Sequence, residues 1–217
     1  MMTHDPSLAA ISLSAIVLAG GKSSRMGRDK ALIELQGVPL LRRVCEVALE
    51  CAAIVYVVTP RTKQYQAILP PNCQLIQEQP LPGETLPHGA LLGFAQGLIH
   101  VQTDWVLLLA CDLPQLQAAM FLKQIPGLAT ANATAVLPKS QHGWEPLCGF
   151  YRANCLPRLN AAIARGDRSF QSWLAQEQVV EMEVGDRAVL FNCNTFADLQ
   201  HVMGNLAAIA PTLPTDT

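Results

Sequence analysis

Lys22, Arg25, Arg28 and Lys30 place four cations within nine residues, with Ser23 and Ser24 between them, directly after Gly20-Gly21. Without β-carbons, the paired glycines let the backbone turn sharply and let a ligand approach its N–H groups. Bare N–H groups followed by cations make a receptacle for a polyphosphate. A second chemical position is Asp112, in Cys111-Asp112-Leu113-Pro114. A carboxylate there can hold Mg2+, which prefers one or two carboxylates plus phosphate oxygens and keeps several waters. By position alone Asp112 serves equally well as an N-cap or a turn acid before Pro114, and the basic stretch as a solvated loop. Taken together, the two positions favour a site for phosphate and metal.

The elements around them are legible from hydrophobic patterning. Ala15-Ile16-Val17-Leu18 is an apolar run fit for a strand buried on both faces. The run over 105–110 is nearly as apolar and leads straight into Asp112. Further strands are expected over 53–58, 74–77, 135–138, 147–151 and 179–184. Helices are expected over 40–51, 65–69, 90–101, 117–124, 154–165, 169–176 and 198–203, with loops over 79–89 and 139–146. Strands alternating with helices imply an α/β fold, a single doubly wound domain with a mostly parallel sheet. It should span residues 1–206, with a frayed tail over 207–217 that carries Pro211 and Pro214. Ligands of such sheets sit outside the carboxyl ends of the strands. Gly20-Gly21 and Asp112 both follow strand ends, so one crevice can hold both.

Composition narrows the function. The 217 residues are 50% hydrophobic and 15% charged, enough to bury a sizeable core, and the formal net charge is −2. A mildly acidic chain is no general nucleic-acid binder, so its basic stretch suits a small anionic ligand. Seven scattered cysteines without a Cys-x-x-Cys spacing read as reduced thiols. Met1 to Ser14 contain no Lys or Arg, and no stretch has the length and apolarity of a membrane span. A cytoplasmic protein with no membrane partner is the expectation. A Walker A loop would need a glycine where this chain has Ile16, inside the strand. A dinucleotide fingerprint would need alternating glycines and an acid closing the next strand, which instead ends in Val58-Thr59-Pro60. The five histidines show no ligand spacing, and Gly-x-Ser-x-Gly is absent.

Leu18-Ala19-Gly20-Gly21-x-Ser23-x-Arg25-Met26-Gly27-x-Asp29-Lys30 resembles the signature of the MobA-like nucleotidyltransferases, the molybdenum cofactor guanylyltransferases. Weaker correspondences run nearly to residue 200. The resemblance implies a Rossmann-like nucleotidyltransferase fold, with Leu18, Ala19, Gly20, Gly21 and Lys30 on the triphosphate of GTP. Cys-Asp-Leu-Pro is similar to the family's Cys-Asp-x-Pro, whose acid is implied to bind Mg2+ and nucleotide, here Asp112. Gly89 to Gly93 is similar to a segment implied to face the purine, although Ala90 and Leu92 depart from it. A nucleotide-contacting aspartate of the family stands here as Glu78, and a family Asn after the second strand is not evident at Thr59 or Pro60. Asn192-Cys193-Asn194-Thr195 resembles Asn-x-Asn-Thr, implied to meet the acceptor; the same amides also suit turns or N-caps. Arg168 and Ser169 are weaker candidates for an acceptor phosphate.

The implied reaction joins GMP from GTP to the phosphate of Mo-molybdopterin and releases pyrophosphate. Arg25, Lys30 and Asp112 would be its catalytic residues, acting by positioning and charge neutralisation. Molybdoenzymes or their chaperones would receive the product. Two alternatives stay open. One is a relative using CTP or a sugar-phosphate acceptor, although CTP users more often show Ala-Ala-Gly than the Ala19-Gly20-Gly21 seen here. The other is a catalytically silent nucleotide-binding protein, for which the changes at Glu78, Ala90 and Leu92 leave room.

Overall fold

A computed structural model of the chain describes residues 11–21, 29–81, 83, 89–193 and 195–209. Strand β1 is Leu13–Leu18, buried along its whole length. Alternate side chains feed two separate cores: Ala15 and Val17 face one, Ile16 and Leu18 the other. A hairpin follows, β2 (Glu34–Leu35) and β3 (Val38–Pro39). Its turn has positive φ at both Gln36 and Gly37, the conformation that two-residue hairpins with the sheet's twist demand. Helix α1 (Leu40–Cys51) buries Leu40, Leu41, Val44, Cys45 and Ala48, one stripe at helical spacing.

Strand β4 (Val55–Thr59), short helix α2 (Thr62–Tyr65) and strand β5 (Cys73–Gln77) carry the sheet outward from β1. Helix α3 (Ala90–Leu98) then crosses the opposite face, and β6 (Trp105–Ala110) pairs with β1 on its other side. Helices α4 (Ala118–Leu122) and α5 (Ile125–Leu128) lead to β7 (Ala135–Leu137). The segment 139–146, expected as a plain loop, contains a second hairpin, β8 (Lys139–Ser140) and β9 (Gly143–Trp144). After β10 (Cys148–Arg152) come α6 (Leu156–Ala164), α7 (Phe170–Leu174), β11 (Val179–Glu181) and α8 (Phe196–Ile209). Helix α8 is longer than the expected 198–203 and passes Ala207, where the sequence suggests a frayed tail; residues 210–217 lie outside the described residues.

Among the described residues the main sheet has seven strands in the order β11-β7-β10-β6-β1-β4-β5. Its pairings are parallel except those of β10, which runs antiparallel to both β6 and β7. The connection from β7 to β10 holds only a hairpin, too short for the helical crossover that a parallel return needs. Helix α1 packs on one face with α4 and α5, through Leu41, Val44, Phe121 and Leu128. Helices α3, α6 and α7 pack on the other, through Phe94, Leu98, Leu159 and Trp173. The chain winds from β1 to β5 in one direction and then jumps back across β1 to β6. The topological switch therefore lies between β1 and β6, where open α/β sheets bind their ligands.

Candidate active site

Parallel pairing brings the carboxyl ends of β1, β4, β5 and β6 to one side of the sheet. Those ends deliver Gly20-Gly21, Thr59-Pro60, Glu78 and Asp112. Because β10 runs the other way, its amino end comes to the same side, with Leu147 hydrogen-bonded to Ala110 (2.9 Å). The result is a cavity of about 390 Å3, within the usual size for a small-molecule site. Its walls include Leu18, Ala19, Gly20 and Gly21 from the first strand exit, Lys30, Glu78, Gly89 from the start of α3, and Asp112. All eight of these were expected from the sequence as nucleotide-binding residues. Arg25 and Asn194 lie outside the described residues.

Lys30 and Asp112, 82 positions apart, meet across the cavity wall: Lys30 Nζ donates to Asp112 Oδ2 at 3.3 Å, with side chains 18% and 20% exposed. Asp29 accepts from the Ala31 amide at 3.2 Å and so caps the single 3-10 turn, Lys30–Leu32, that presents Lys30. Asp112 does not cap a helix by its side chain: α4 starts later, after Gln117. Cys193 N–H donates to the Asp112 carbonyl at 2.9 Å, which seats the 191–193 segment beside the site. Asn192 itself does not line the cavity. Arg168 is turned onto the carbonyls of Ile163 (3.0 Å) and Asp167 (2.9 Å) rather than toward the cavity.

Glu78 is 6% exposed, and its carboxylate lies against Gly20. A β-carbon at position 20 would collide with Glu78 Oε2, so any other residue there would push the carboxylate aside, while Pro60 Cδ lies at contact distance, 3.4 Å. On the other side, the same carboxylate borders Gly93 of α3. Burial pushes the Glu78 carboxyl up from its ordinary value. Cys111 also lines the cavity, but burial, with Asp112 and Asp29 nearby, pushes its thiol far up, so it is no nucleophilic thiolate. Gly89 has φ +85 and opens α3 at the cavity edge, where Ala90 and Gly93 of that helix also line the wall.

A divalent ion fits this chemistry. Asp112 is a hard oxygen donor on the rim, and no cluster of three His, Cys, Asp or Glu among the described residues could cage a metal unaided. Mg2+ suits such a place because it takes one or two carboxylates and fills its shell with substrate phosphate oxygens and water.

Residues to which the sequence assigns no site role also shape the site. Asp29, Val58, Ala110, Cys111 and Leu147 line the cavity, and Thr59, Arg61 and Tyr65 stand behind it. A polar Thr59 closing an apolar strand at its carboxyl end was the available signal for the second group.

The MobA-like NTP transferase domain matches residues 15–181. The chain is 48% identical over 202 residues to the "Probable molybdenum cofactor guanylyltransferase" of Trichormus variabilis, covering 92% of this chain and 95% of that one. It is 40% identical over 192 residues to the protein of the same name from Synechococcus elongatus, covering 88% and 97%. The solved molybdopterin-guanine dinucleotide biosynthesis protein A of Archaeoglobus fulgidus has a similar fold, with a TM-score of 0.70 at 23% identity, covering 90% of this chain and all of that one.

Proposed function

This chain belongs to the MobA-like NTP transferase family, and from that premise we propose that its cavity carries GMP transfer from GTP to the phosphate of Mo-molybdopterin, with release of pyrophosphate. It is a nucleotidyltransferase of molybdenum cofactor biosynthesis. The observation that carries the site assignment is the meeting of Lys30 and Asp112 at 3.3 Å beside Gly20 and Gly21. It sets a cation for the triphosphate next to a carboxylate for a metal, at the switch point of the sheet.

The acceptor phosphate is already anionic, so the reaction asks for no strong general base. What it asks for is alignment and neutralisation of charge as pyrophosphate leaves. Amides at Gly20 and Gly21 and the Lys30 ammonium hold the β- and γ-phosphates, with Arg25 assigned to the same task. Asp112 holds Mg2+, which when bound neutralises phosphate charge. Until substrate arrives, Lys30 and Asp112 balance each other. Glu78 offers an acceptor to the N–H edge of guanine or to a ribose hydroxyl, while Gly89 and the start of α3 border the purine. Asn192 and Asn194 serve the acceptor side. Molybdoenzymes or their chaperones receive the product in the cytoplasm; no helix of the described residues is long and apolar enough to cross a membrane.

Pyrophosphate release tests this directly, with GTP, ATP, CTP and UTP each assayed with and without Mo-molybdopterin. Acceptor-dependent release with GTP favoured by about tenfold or more over the others is the expected result. Preference for CTP would move the protein to the cytidylyl relatives, and absence of release with any nucleotide would overturn the reading.

A further inference from the structure

Thr59, the last residue of β4, and Arg61 and Tyr65 just after it touch both edges of the phosphate-side wall without lining the cavity. Thr59, fully buried at the carboxyl end of β4, donates its hydroxyl to the Ala19 carbonyl at 2.9 Å. The same oxygen accepts from the Arg61 amide at 3.0 Å. Farther along, the Tyr65 hydroxyl donates to Asp29 Oδ2 at 2.7 Å, and Arg61 pairs with that oxygen at 3.4 Å. Ala19 immediately precedes Gly20, and Asp29 caps the turn that presents Lys30. Tyr65 is fully buried, and burial pushes its phenol up, so it stays protonated and able to donate. None of Thr59, Arg61 and Tyr65 lines the cavity.

We propose that Thr59, Arg61 and Tyr65 are positioning residues, which hold Ala19 and Asp29 in fixed register and thereby aim the Gly20 amide and the Lys30 ammonium at the triphosphate. The inference rests on the assignment of Lys30 to the phosphates made above. Its physical basis is preorganisation. A cation on a short turn loses affinity and rate if the turn is free to shift, because the ligand must then order it. The Asp29 carboxylate is the coupling element: one oxygen holds the Ala31 amide and the other is held by Tyr65 and Arg61.

The test is a double-mutant cycle on the full chain, read as GTP affinity by calorimetry in the presence of Mg2+, with no acceptor needed. Tyr65→Phe removes one hydroxyl and keeps the ring in the core. It should weaken GTP binding about tenfold, the effect of degrading one charge-assisted contact. In a Lys30→Ala background, Tyr65→Phe should have no further effect. A purely structural Tyr65 would lower Tm while leaving affinity unchanged, and that result overturns the proposal. Equal weakening in both backgrounds also overturns it. If Lys30→Ala binds GTP as wild type does, the assignment of Lys30 falls and the positioning role falls with it. If Lys30→Ala weakens binding and Tyr65→Phe does not, the positioning role alone falls. Should Tyr65→Phe fail to fold, Thr59→Ser and Thr59→Val carry the same question. Serine keeps the hydroxyl and should retain wild-type affinity, valine should lose it, and equal affinity in the two overturns the proposal.

Discussion

At the scale of single residues, Glu78 carries a testable stability cost. Its carboxylate is buried against Gly20 and Gly93, and burial raises its pKa. A carboxyl whose pKa is higher folded than unfolded favours the native state while protonated. That stabilisation is complete below the unfolded pKa and is lost as pH rises through the folded one. At neutral pH the buried carboxyl is therefore a cost, tolerated if it meets a ligand's donors. Glu78→Gln should raise Tm at neutral and mildly alkaline pH, give no gain below the ordinary carboxylate range, and weaken GTP binding. Melting curves across pH, paired with GTP titrations, check both halves. A variant that gains no stability at neutral pH would contradict the burial cost, and unchanged GTP affinity would remove Glu78 from the nucleotide site.

Secondary-structure elements set the tolerances within which those residues work. Helix α3 lies close on the sheet because Gly97 faces it: an added β-carbon would sit 3.0 Å from both Ile16 Cδ1 and Val58 Cγ2. Those two atoms belong to the strands whose exits carry Gly20 and Thr59. Gly97→Ala brings a helix-propensity gain of about 1 kcal/mol against an overpacking cost of about 1–3 kcal/mol. The cost wins, and Tm should fall by about 2–4 °C for each kcal/mol of net loss. Thermal unfolding measures it; a rise in Tm would mean that the helix can lift without penalty.

Elements also mark where the sequence stops being informative. Strands β1 and β6 and helix α1 are plain in it because burial on both faces, or along one stripe, dictates their composition. Positions after a buried strand must come to the sheet's rim, so the spatial neighbourhood of Gly20 and Asp112 follows from local pattern plus topology, whereas Glu78 was legible only through the family resemblance. The hairpin β8–β9 escaped because two-residue strands are too short to show alternation. The bond from Tyr65 to Asp29 escaped for another reason. It joins residues 36 positions apart, and nothing in the local pattern of a short helix marks one hydroxyl as aimed at a distant carboxylate. Leu147 reaches the cavity because β10 is antiparallel, a direction that depends on the length of the preceding connection rather than on its own composition.

At the scale of the whole molecule, two residues from opposite sides of the topological switch must act as one site. Lys30 comes from the β1 side and Asp112 from the end of β6, and the pairing of β1 with β6 brings the two within reach of each other. Asp112 is the proposed metal-holding carboxylate of the transfer reaction. The most direct measurement is Mg2+-dependent pyrophosphate release from GTP by Asp112→Asn, run beside wild type with the acceptor present. Asparagine is nearly the same size, and the side chain lies on a rim rather than in the core, so the variant should fold. An amide is a poorer Mg2+ ligand and lacks the charge that fixes the ion, so transfer should fall by about a hundredfold or more. Wild-type rates of release from the folded variant would contradict the metal role of Asp112 and the mechanism built on it.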